Sequence, residues 1–188
     1  MKLSGSYQIN LEKQKVWEAL NNPEILKKSI PGCEEFVKKS ETEFTATATN
    51  KIGPFNATFT GDIELKDLDP PNSYKIIGSG NSPVGFANGE ASVTLEDLED
   101  GTNLKYSVEA NVGGKIAQVG SRLIDMTAKK MADIFFGKFV ELITTKTTTE
   151  KVKKVNEDKI QSQKEPINKI FIVLPALIII GIILYYLN

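Results

Sequence analysis

The chain has 188 residues, of which 40 % are apolar and 25 % are charged, values that suit one globular domain with short appendages. Histidine is absent and cysteine occurs once, which excludes an intramolecular disulfide and argues against a His/Cys metal site or a histidine-activated nucleophile. Residues 1–143 carry 16 basic and 20 acidic side chains, and this negative balance argues against nucleic-acid binding, which requires a basic face.

Two short helices are predicted after a first strand in MKLSGSYQIN. Apolar residues recur at helical spacing in LEKQKVWEALNNPEILKKSIPG, first around Trp17 and Leu20 and again from Ile25 to Ile30. Pro23 lies between the two groups, and a helix usually ends before a proline. We therefore expect two helices that are separated at Pro23.

Alternating apolar and polar residues predict several strands. In GPFNATFTGDIELKDL every second residue of 55–65 is apolar or glycine, which is typical of a strand with one buried face. The same pattern occurs in EFTATATN, SYKIIGSG, GEASVTLEDL and TNLKYSVEANV. Turn signals separate these strands at 69–72, 81–83 and 99–101. Such short connections favour an antiparallel meander.

A long helix is predicted for residues 115–143, after a glycine pair at 113–114. Its apolar stripe consists of Ile116, Val119, Leu123, Met131, Ile134 and Phe135. A sheet with one apolar face must bury that face, and this helix is the only predicted element long enough to cover it. We therefore expect an α+β fold in which a curved antiparallel sheet of about six to seven strands wraps around the long C-terminal helix.

The inward positions of the predicted strands mix a few large residues with many small ones. Close packing with glycine-driven curvature is one interpretation, and a pocket beneath the helix is the other. A pocket walled by these residues would take an apolar ligand. The residues predicted to line it are Phe44, Ala46, Ala57, Phe59, Gly61, Ile76, Gly78, Phe86, Ala91, Leu104, Tyr106, Ile116, Val119, Leu123 and Met131.

The segment 170–187 is apolar and carries no charge. As a helix it would be about 27 Å long, close to the roughly 30 Å hydrocarbon core of a bilayer. We predict a single transmembrane anchor, with packing into a partner's groove as the alternative. Seven lysines lie in 144–169, before this segment, and the positive-inside rule places the N-terminal domain on the cytoplasmic side of the cell membrane.

Three segments are thus predicted, namely a ligand-binding domain at 1–143, a Lys-rich linker at 144–169 and a transmembrane anchor at 170–187. The linker has few apolar residues, which indicates a flexible chain with at most a short, fraying helix. Its lysines are interpreted either as contacts to anionic lipid headgroups or as a solvated spacer.

Several motifs resemble the CoxG family, the G subunit of carbon monoxide dehydrogenase, in content and order, namely MKLSGSYQI, VWEALNNPEILKKSIPGCE, GPFNATFTGDIEL, GFANGEASVTLE and VGGKIAQVGSRLIDMTAKKMADIFFGKF. The resemblance covers about residues 1–140, and IPGCE and VGGKIAQVGSRLID are its most specific parts. It implies the helix-grip fold of the START-like and Bet v 1-like (SRPBCC) superfamily, with a hydrophobic cavity under the long helix. It also implies a non-catalytic accessory protein that recruits or matures molybdenum-containing carbon monoxide dehydrogenases and related oxidoreductases at the cytoplasmic membrane.

Three functional hypotheses follow. In the first, a membrane-tethered binding module holds an apolar lipid or quinone and brings a soluble oxidoreductase to the bilayer. In the second, an enzyme such as a cyclase or lyase uses the same scaffold, with catalysis resting on Tyr74, Tyr106 or Arg122. In the third, a scaffold recruits its partner without a ligand. We favour the first, and expect no catalytic residue, no metal and no cofactor.

Three features outside the predicted cavity have two interpretations each. Cys33 is interpreted as a small turn residue rather than a reactive thiol, since no sequence neighbour activates it. Arg122 is expected to pair with Asp125 on the helix surface rather than to hold a ligand's polar head. The loop at 83–86 is either a lid or contact site, or an anchor of the core through Phe86.

Overall fold

The computed structural model describes residues 1–161 and, for side chains, residues 1–145. Within that part of the chain the strands are β1 (Lys2–Ile9), β2 (Cys33–Lys38), β3 (Glu43–Ile52), β4 (Phe55–Asp69), β5 (Ser73–Ser82), β6 (Gly85–Leu98) and β7 (Gly101–Gly113). The α-helices are α1 (Lys13–Leu20), α2 (Pro23–Ser29) and α3 (Ser121–Gln161). A 3₁₀ turn covers Lys115–Val119.

The seven strands described form one antiparallel sheet in the order β1–β7–β6–β5–β4–β3–β2. Strands β2 to β7 follow one another as a meander, as the short turns predict. β1 pairs with β7, so the first strand lies beside the last one. This sheet and the C-terminal helix confirm the predicted α+β class.

Asn22 and Pro23 separate α1 from α2, as the sequence predicts. The Asn22 side chain accepts hydrogen bonds from the backbone N–H groups of Glu24 (3.0 Å) and Ile25 (3.3 Å), which caps α2. Pro23 takes the first helical position, where its missing N–H breaks no helical hydrogen bond. The two helices therefore meet at a fixed corner.

The long helix begins and ends later than the sequence indicates. Residues Lys115–Val119 form the 3₁₀ turn, and Gly120, with φ at +89°, separates that turn from α3. Because a positive φ interrupts a regular helix and suits glycine, the predicted helical start at 115 was wrong. α3 continues to Gln161, into the first part of the segment predicted as a linker.

Residues Met1–Thr147 form one packed unit. Within residues 1–161, no helix is both long enough and apolar enough to cross a bilayer. The predicted anchor at 170–187 lies outside the described residues. The boundary placed after residue 143 and the assignment of 144–169 as a linker stay predictions.

The core lies between α1, α3 and one face of the sheet, which we call the inner face. Leu104 on β7, Val16 on α1 and Phe139 on α3 are each fully buried there. Phe136 stacks on Tyr7 with ring centroids 4.2 Å apart, which ties α3 to β1. This dense packing joins α1 to the part of α3 that runs from Phe136 to Ile143.

Candidate functional site

On the neighbouring strands β5 and β6, larger inner-face side chains at the end that packs in the core are followed by glycine and alanine. On β5 the inward positions are Tyr74, Ile76, Gly78 and Gly80, and on β6 they are Val93, Ala91, Gly89 and Ala87. The register places small residues side by side, because Gly78 pairs with Gly89 and Gly80 with Ala87. Space therefore opens on the inner face beyond the core.

An apolar cavity of about 480 Å³ lies between the inner face, α2 and α3. Helix α3 contributes Ala128, Met131, Ala132, Phe135 and Phe136 to its walls, and α2 contributes Leu26. Among the described lining residues, only Asn50, Tyr74 and Tyr106 have polar side chains apart from the terminal amine of Met1. A small apolar molecule would fit a cavity of this size and lining.

A second space of about 360 Å³, which we call the trough, continues along the inner face. The cavity and the trough share Ile63, Ile76, Ala91 and Val108 as walls. Beyond these residues the trough is lined mainly by small ones, including Ala46, Ala48, Gly78, Gly80, Gly89 and Ala110. No described residue of α3 lines the trough, so the helix covers the cavity and leaves the trough open.

Two tyrosines and one carboxylate meet where α3 crosses β1 and β7. The Tyr7 hydroxyl donates a 2.7 Å hydrogen bond to Asp133 Oδ1. Burial raises the pKa of Tyr7 well above its usual value, and the hydrogen bond to Asp133 raises it further. Burial, followed by the charge of Asp133, also raises the pKa of Tyr106. Both phenols therefore keep their protons at neutral pH.

Tyr74 lies in the wall of the cavity next to α1. Its side chain is only 5 % exposed, and its ring meets the Trp17 ring edge-on with centroids 5.3 Å apart. Burial raises the pKa of Tyr74 far above its usual value, with no other cause. Its hydroxyl is therefore held as a neutral group at the inner end of the cavity.

Residues 5–144 match the family model that describes the G subunit of carbon monoxide dehydrogenase (CoxG). The chain belongs to the CoxG family. The matched region runs from within β1 through the other six described strands to the part of α3 that lines the cavity. No curated protein matches the chain.

Solved structures share the fold of this CoxG family member. A conserved protein from Geobacillus kaustophilus is 32 % identical, with a TM-score of 0.73, over 77 % of this chain and 96 % of that one. A protein from Thermus thermophilus is 12 % identical, with a TM-score of 0.60, over 77 % and 98 % of the two chains. A protein from Mycobacterium smegmatis is 17 % identical, with a TM-score of 0.59, over 77 % and 92 %. At these identities the last two show the helix-grip fold alone.

Ten of the fifteen residues that the sequence predicts as cavity lining border one of the two spaces in this CoxG domain. The cavity walls include Phe44, Ile76, Ala91, Leu104, Tyr106 and Met131. The trough walls include Ala46, Phe59, Gly61 and Gly78. The structure thus places these residues together, and binding of a ligand by them stays a prediction.

The other five predicted residues, Ala57, Phe86, Ile116, Val119 and Leu123, border neither space. Ile116 is 3 % exposed, and Val119 and Leu123 pack against Gly53 in the β3–β4 turn. Phe86 is 40 % exposed, because neighbouring residues of a strand point to opposite faces and Ala87 points inward.

Sequence reasoning missed several wall residues of the CoxG cavity, among them Leu26, Tyr74, Phe135 and Phe136. A signal for Tyr74 was present, since it has the same strand parity as Ile76 and Gly78. The contribution of α2 had no such signal, because it depends on how the α1–α2 corner sits over the sheet.

Cys33 and Arg122 take no part in the cavity of this CoxG domain. The Cys33 thiol donates to the Glu35 carbonyl oxygen at 3.3 Å, and burial raises its pKa, although Lys27 acts in the opposite direction. Cys33 is therefore not an activated thiol. Arg122 is exposed and forms no ion pair with Asp125 among the described residues, so the predicted pair was wrong. No cluster of potential metal ligands occurs within residues 1–161.

A larger hollow of about 1020 Å³ is bordered by residues of β1 and of β3 to β7, and its walls include many charged side chains. Lys2 pairs with Glu109 at 2.7 Å and Lys39 with Asp62 at 2.9 Å within it. These pairs are exposed, and the hydrogen bond from Lys39 lowers the pKa of Asp62. This hollow is a solvated charged surface, so the smaller apolar cavity is the candidate ligand site.

Proposed function

We propose that this protein is a membrane-anchored, non-catalytic accessory protein that binds an apolar lipid or quinone and recruits a carbon monoxide dehydrogenase-like molybdenum oxidoreductase to the cytoplasmic membrane. The observation that carries the proposal is the apolar cavity between α3 and the sheet. A cavity of this size with apolar walls favours a small apolar molecule. Membership of the CoxG family supports an accessory role beside carbon monoxide dehydrogenase.

The chemistry of the cavity supports binding over catalysis. None of its described lining residues is an aspartate, glutamate, lysine or arginine. Tyr74 and Tyr106 line it, and burial raises the pKa of both. General acid–base catalysis at neutral pH works best with a group whose pKa lies near 7, which neither tyrosine offers.

The sequence beyond the packed unit supports the membrane part of the proposal. The apolar segment 170–187 has the length of a bilayer span, and the lysines of 144–169 precede it. A tether raises the local concentration of the domain at the membrane without any new contact. An oxidoreductase must pass on its electrons, and a quinone suits both an apolar cavity and a membrane location.

Ligand binding is tested by native mass spectrometry of the full-length chain released from membranes in detergent. We expect a bound lipid or quinone, and uptake of decylubiquinone after solvent extraction. Met131→Trp should reduce uptake because Met131 lines the cavity. Met126→Trp is the matched control, since Met126 lies on the same helix and is 61 % exposed. A wild-type chain that holds and takes up nothing contradicts the ligand part of the proposal.

Recruitment is tested by flotation of liposomes with purified carbon monoxide dehydrogenase. Liposomes that carry the full-length chain should bring the enzyme to the top of the gradient. A chain lacking 144–188 should leave both proteins at the bottom. If the enzyme stays at the bottom although the full-length chain floats, the recruitment part of the proposal fails and the ligand part stands.

A further inference from the structure

Tyr74 has a hydroxyl group with no hydrogen-bond partner among the described residues. Of the other two polar side chains of the cavity wall, Asn50 donates to the Pro31 carbonyl oxygen at 3.1 Å. The Tyr106 hydroxyl lies near two other polar groups, the Tyr7 hydroxyl and the Asp133 carboxylate. Tyr74 as a whole is only 5 % exposed, so its hydroxyl lies away from the protein surface. Polar groups in a protein interior normally have a hydrogen-bond partner, so a hydroxyl at this position is suited to bond a polar group of a ligand.

The hydroxyl of Tyr74 borders the cavity. Within the described residues, every side-chain nitrogen or oxygen atom that is fully enclosed has a hydrogen-bond partner. The unpartnered Tyr74 hydroxyl is therefore not fully enclosed and touches open space, and the open space that Tyr74 lines is the cavity. A polar group on the ligand would meet this hydroxyl there.

We propose that the Tyr74 hydroxyl donates a hydrogen bond to the head group of the ligand, and that the tail of the ligand extends along the trough. The ligand class is an apolar molecule with a hydrogen-bond acceptor, such as a carbonyl oxygen, at one end and a long tail at the other. This inference rests on the proposed ligand-binding function and adds the orientation of the ligand and the residue that selects its head group.

The gradient of side-chain size on the inner face supports this orientation. On β5, Tyr74 and Gly80 are six residues apart, which corresponds to about 20 Å along a strand. The cavity that Tyr74 lines also has the aromatic rings of Phe135 and Phe136 in its walls, and such rings suit a flat head group. Towards Gly80 the small residues leave room for a chain, and α3 does not close this end.

The head-group contact is tested by displacement of the neutral fluorophore N-phenylnaphthylamine from the full-length chain in nanodiscs. The competitors are decylubiquinone, which has carbonyl oxygens, and decylbenzene, which has a similar tail and none. Tyr74→Phe should lower the affinity for decylubiquinone about fivefold, which is the effect of one hydrogen bond. The same variant should change the affinity for decylbenzene less than about twofold. Thr60→Val is the control and should change both affinities less than about twofold, because its hydroxyl lies against Thr47 on the exposed side of β4 and Thr60 borders neither the cavity nor the trough.

The tail position is tested with Gly78→Leu, whose result does not depend on whether Tyr74→Phe folds. A Cβ atom on Gly78 would meet nothing within 4 Å, so the leucine side chain has space in the trough. Gly78→Leu should lower the affinity for decylubiquinone about fivefold, because the leucine side chain fills that space. A tail-free dimethoxy-methyl-benzoquinone should bind this variant and the wild type equally.

The outcomes separate this inference from the proposed function. Equal affinity of wild type and Tyr74→Phe for decylubiquinone overturns the head-group contact and leaves ligand binding intact. An equal loss of affinity for decylubiquinone and decylbenzene in Tyr74→Phe overturns the head-group contact as well, since that pattern indicates a change in the shape of the cavity. If Gly78→Leu lowers the affinity for the tailed and the tail-free quinone equally, the proposed position of the tail is overturned. A wild type from which no competitor displaces the fluorophore overturns both the inference and the proposed ligand binding.

Discussion

The Tyr7 hydroxyl and the Asp133 carboxylate are 2.7 Å apart, although 126 positions separate the two residues in the sequence. Their hydrogen bond connects the first strand to the helix that covers the cavity. The Tyr7 ring also stacks on Phe136, one turn further along that helix. These two contacts hold α3 against β1. They thereby set the distance between α3 and the sheet, and α3 is the helix that covers the cavity.

Tyr7→Phe isolates the contribution of this hydrogen bond, since the phenylalanine ring still stacks on Phe136. We expect a loss of about 1 kcal/mol, equivalent to a decrease in Tm of about 2–4 °C, measured by circular dichroism of the full-length chain in detergent. Asp133→Asn keeps an acceptor oxygen for the Tyr7 hydroxyl and should therefore lose less stability than Tyr7→Phe. An unchanged Tm in Tyr7→Phe would show that water replaces Asp133 without loss.

Two glycines on neighbouring strands should respond oppositely to alanine. A Cβ on Gly61 would collide with the Ser79 carbonyl oxygen, whereas a Cβ on Gly78 would meet nothing within 4 Å. We expect Gly61→Ala to destabilise the fold by about 2 kcal/mol, within the range of overpacked sites. Gly78→Ala should be neutral or stabilising by up to about 1 kcal/mol, because it restricts the unfolded chain.

The comparison of these two glycine variants needs only thermal unfolding of both proteins under one set of conditions. Similar melting temperatures for Gly61→Ala and Gly78→Ala would mean that β4 and β5 move apart to accept the methyl group at Gly61. The trough would then be more deformable than its described walls indicate.

Acid should weaken the fold through carboxylates whose pKa is lowered in the folded state. The hydrogen bonds that Lys39 and Lys105 donate lower the pKa of Asp62 and Glu96 below their ordinary values of 3.8 and 4.5. The unfolded chain then binds more protons than the folded one in this range, so stability falls as the pH decreases from about 5 through the folded pKa values. Asp62→Asn should flatten the plot of Tm against pH between 5 and 3.

Salt provides the control for the acid prediction. Both carboxylates are at the surface, so ions screen their interaction with the lysines. At about 1 M salt the pH dependence of the wild type should approach that of Asp62→Asn. An equal slope for wild type and variant at low salt would exclude Asp62 as a contributor.

Alkali should act on the tyrosines. Burial raises the pKa of Tyr7, Tyr74 and Tyr106 above the ordinary value of 10.0. Their stabilising effect is complete below pH 10 and is lost as the pH rises, because the unfolded chain releases these protons first. In an absorbance titration at alkaline pH, Tyr7, Tyr74 and Tyr106 should ionise late, together with unfolding.

Tyr74→Phe serves as the control for the alkaline titration. It should remove one late tyrosine from the curve and leave Tm unchanged or higher, since it deletes a buried hydroxyl without a partner. Early, reversible ionisation of all five tyrosines in folded protein would contradict the described burial of Tyr7, Tyr74 and Tyr106.

The alternation of residues predicts the strands, their meander and which side chains share a face. Pro23 likewise predicts the break between α1 and α2. These features are local, because each depends on residues that are close in the sequence. The start of α3 was missed although it is also local, since the helical stripe from Ile116 continues across Gly120, whose positive φ stops the helix.

The shape of the site depends on relations between distant residues. The trough exists because Gly78 pairs with Gly89 and Gly61 with Ala46 in neighbouring strands, and a single strand does not reveal its partner's register. The helical wall of the cavity includes Phe135 and Phe136, and their distance from the sheet depends on the contact of α3 with Tyr7. The sequence therefore predicted an apolar interior and left the division between filled and open space undecided.

Trp17 is the only tryptophan of the chain, and its ring lies edge-on to Tyr74. The protein thus has a single indole fluorophore, in contact with a residue of the cavity wall. A quinone ring that arrives there will quench the indole emission, whereas a molecule confined to the far end of the trough will leave the signal much less changed. Occupancy can be followed in real time in unlabelled protein, and the depth of insertion becomes an optical measurement.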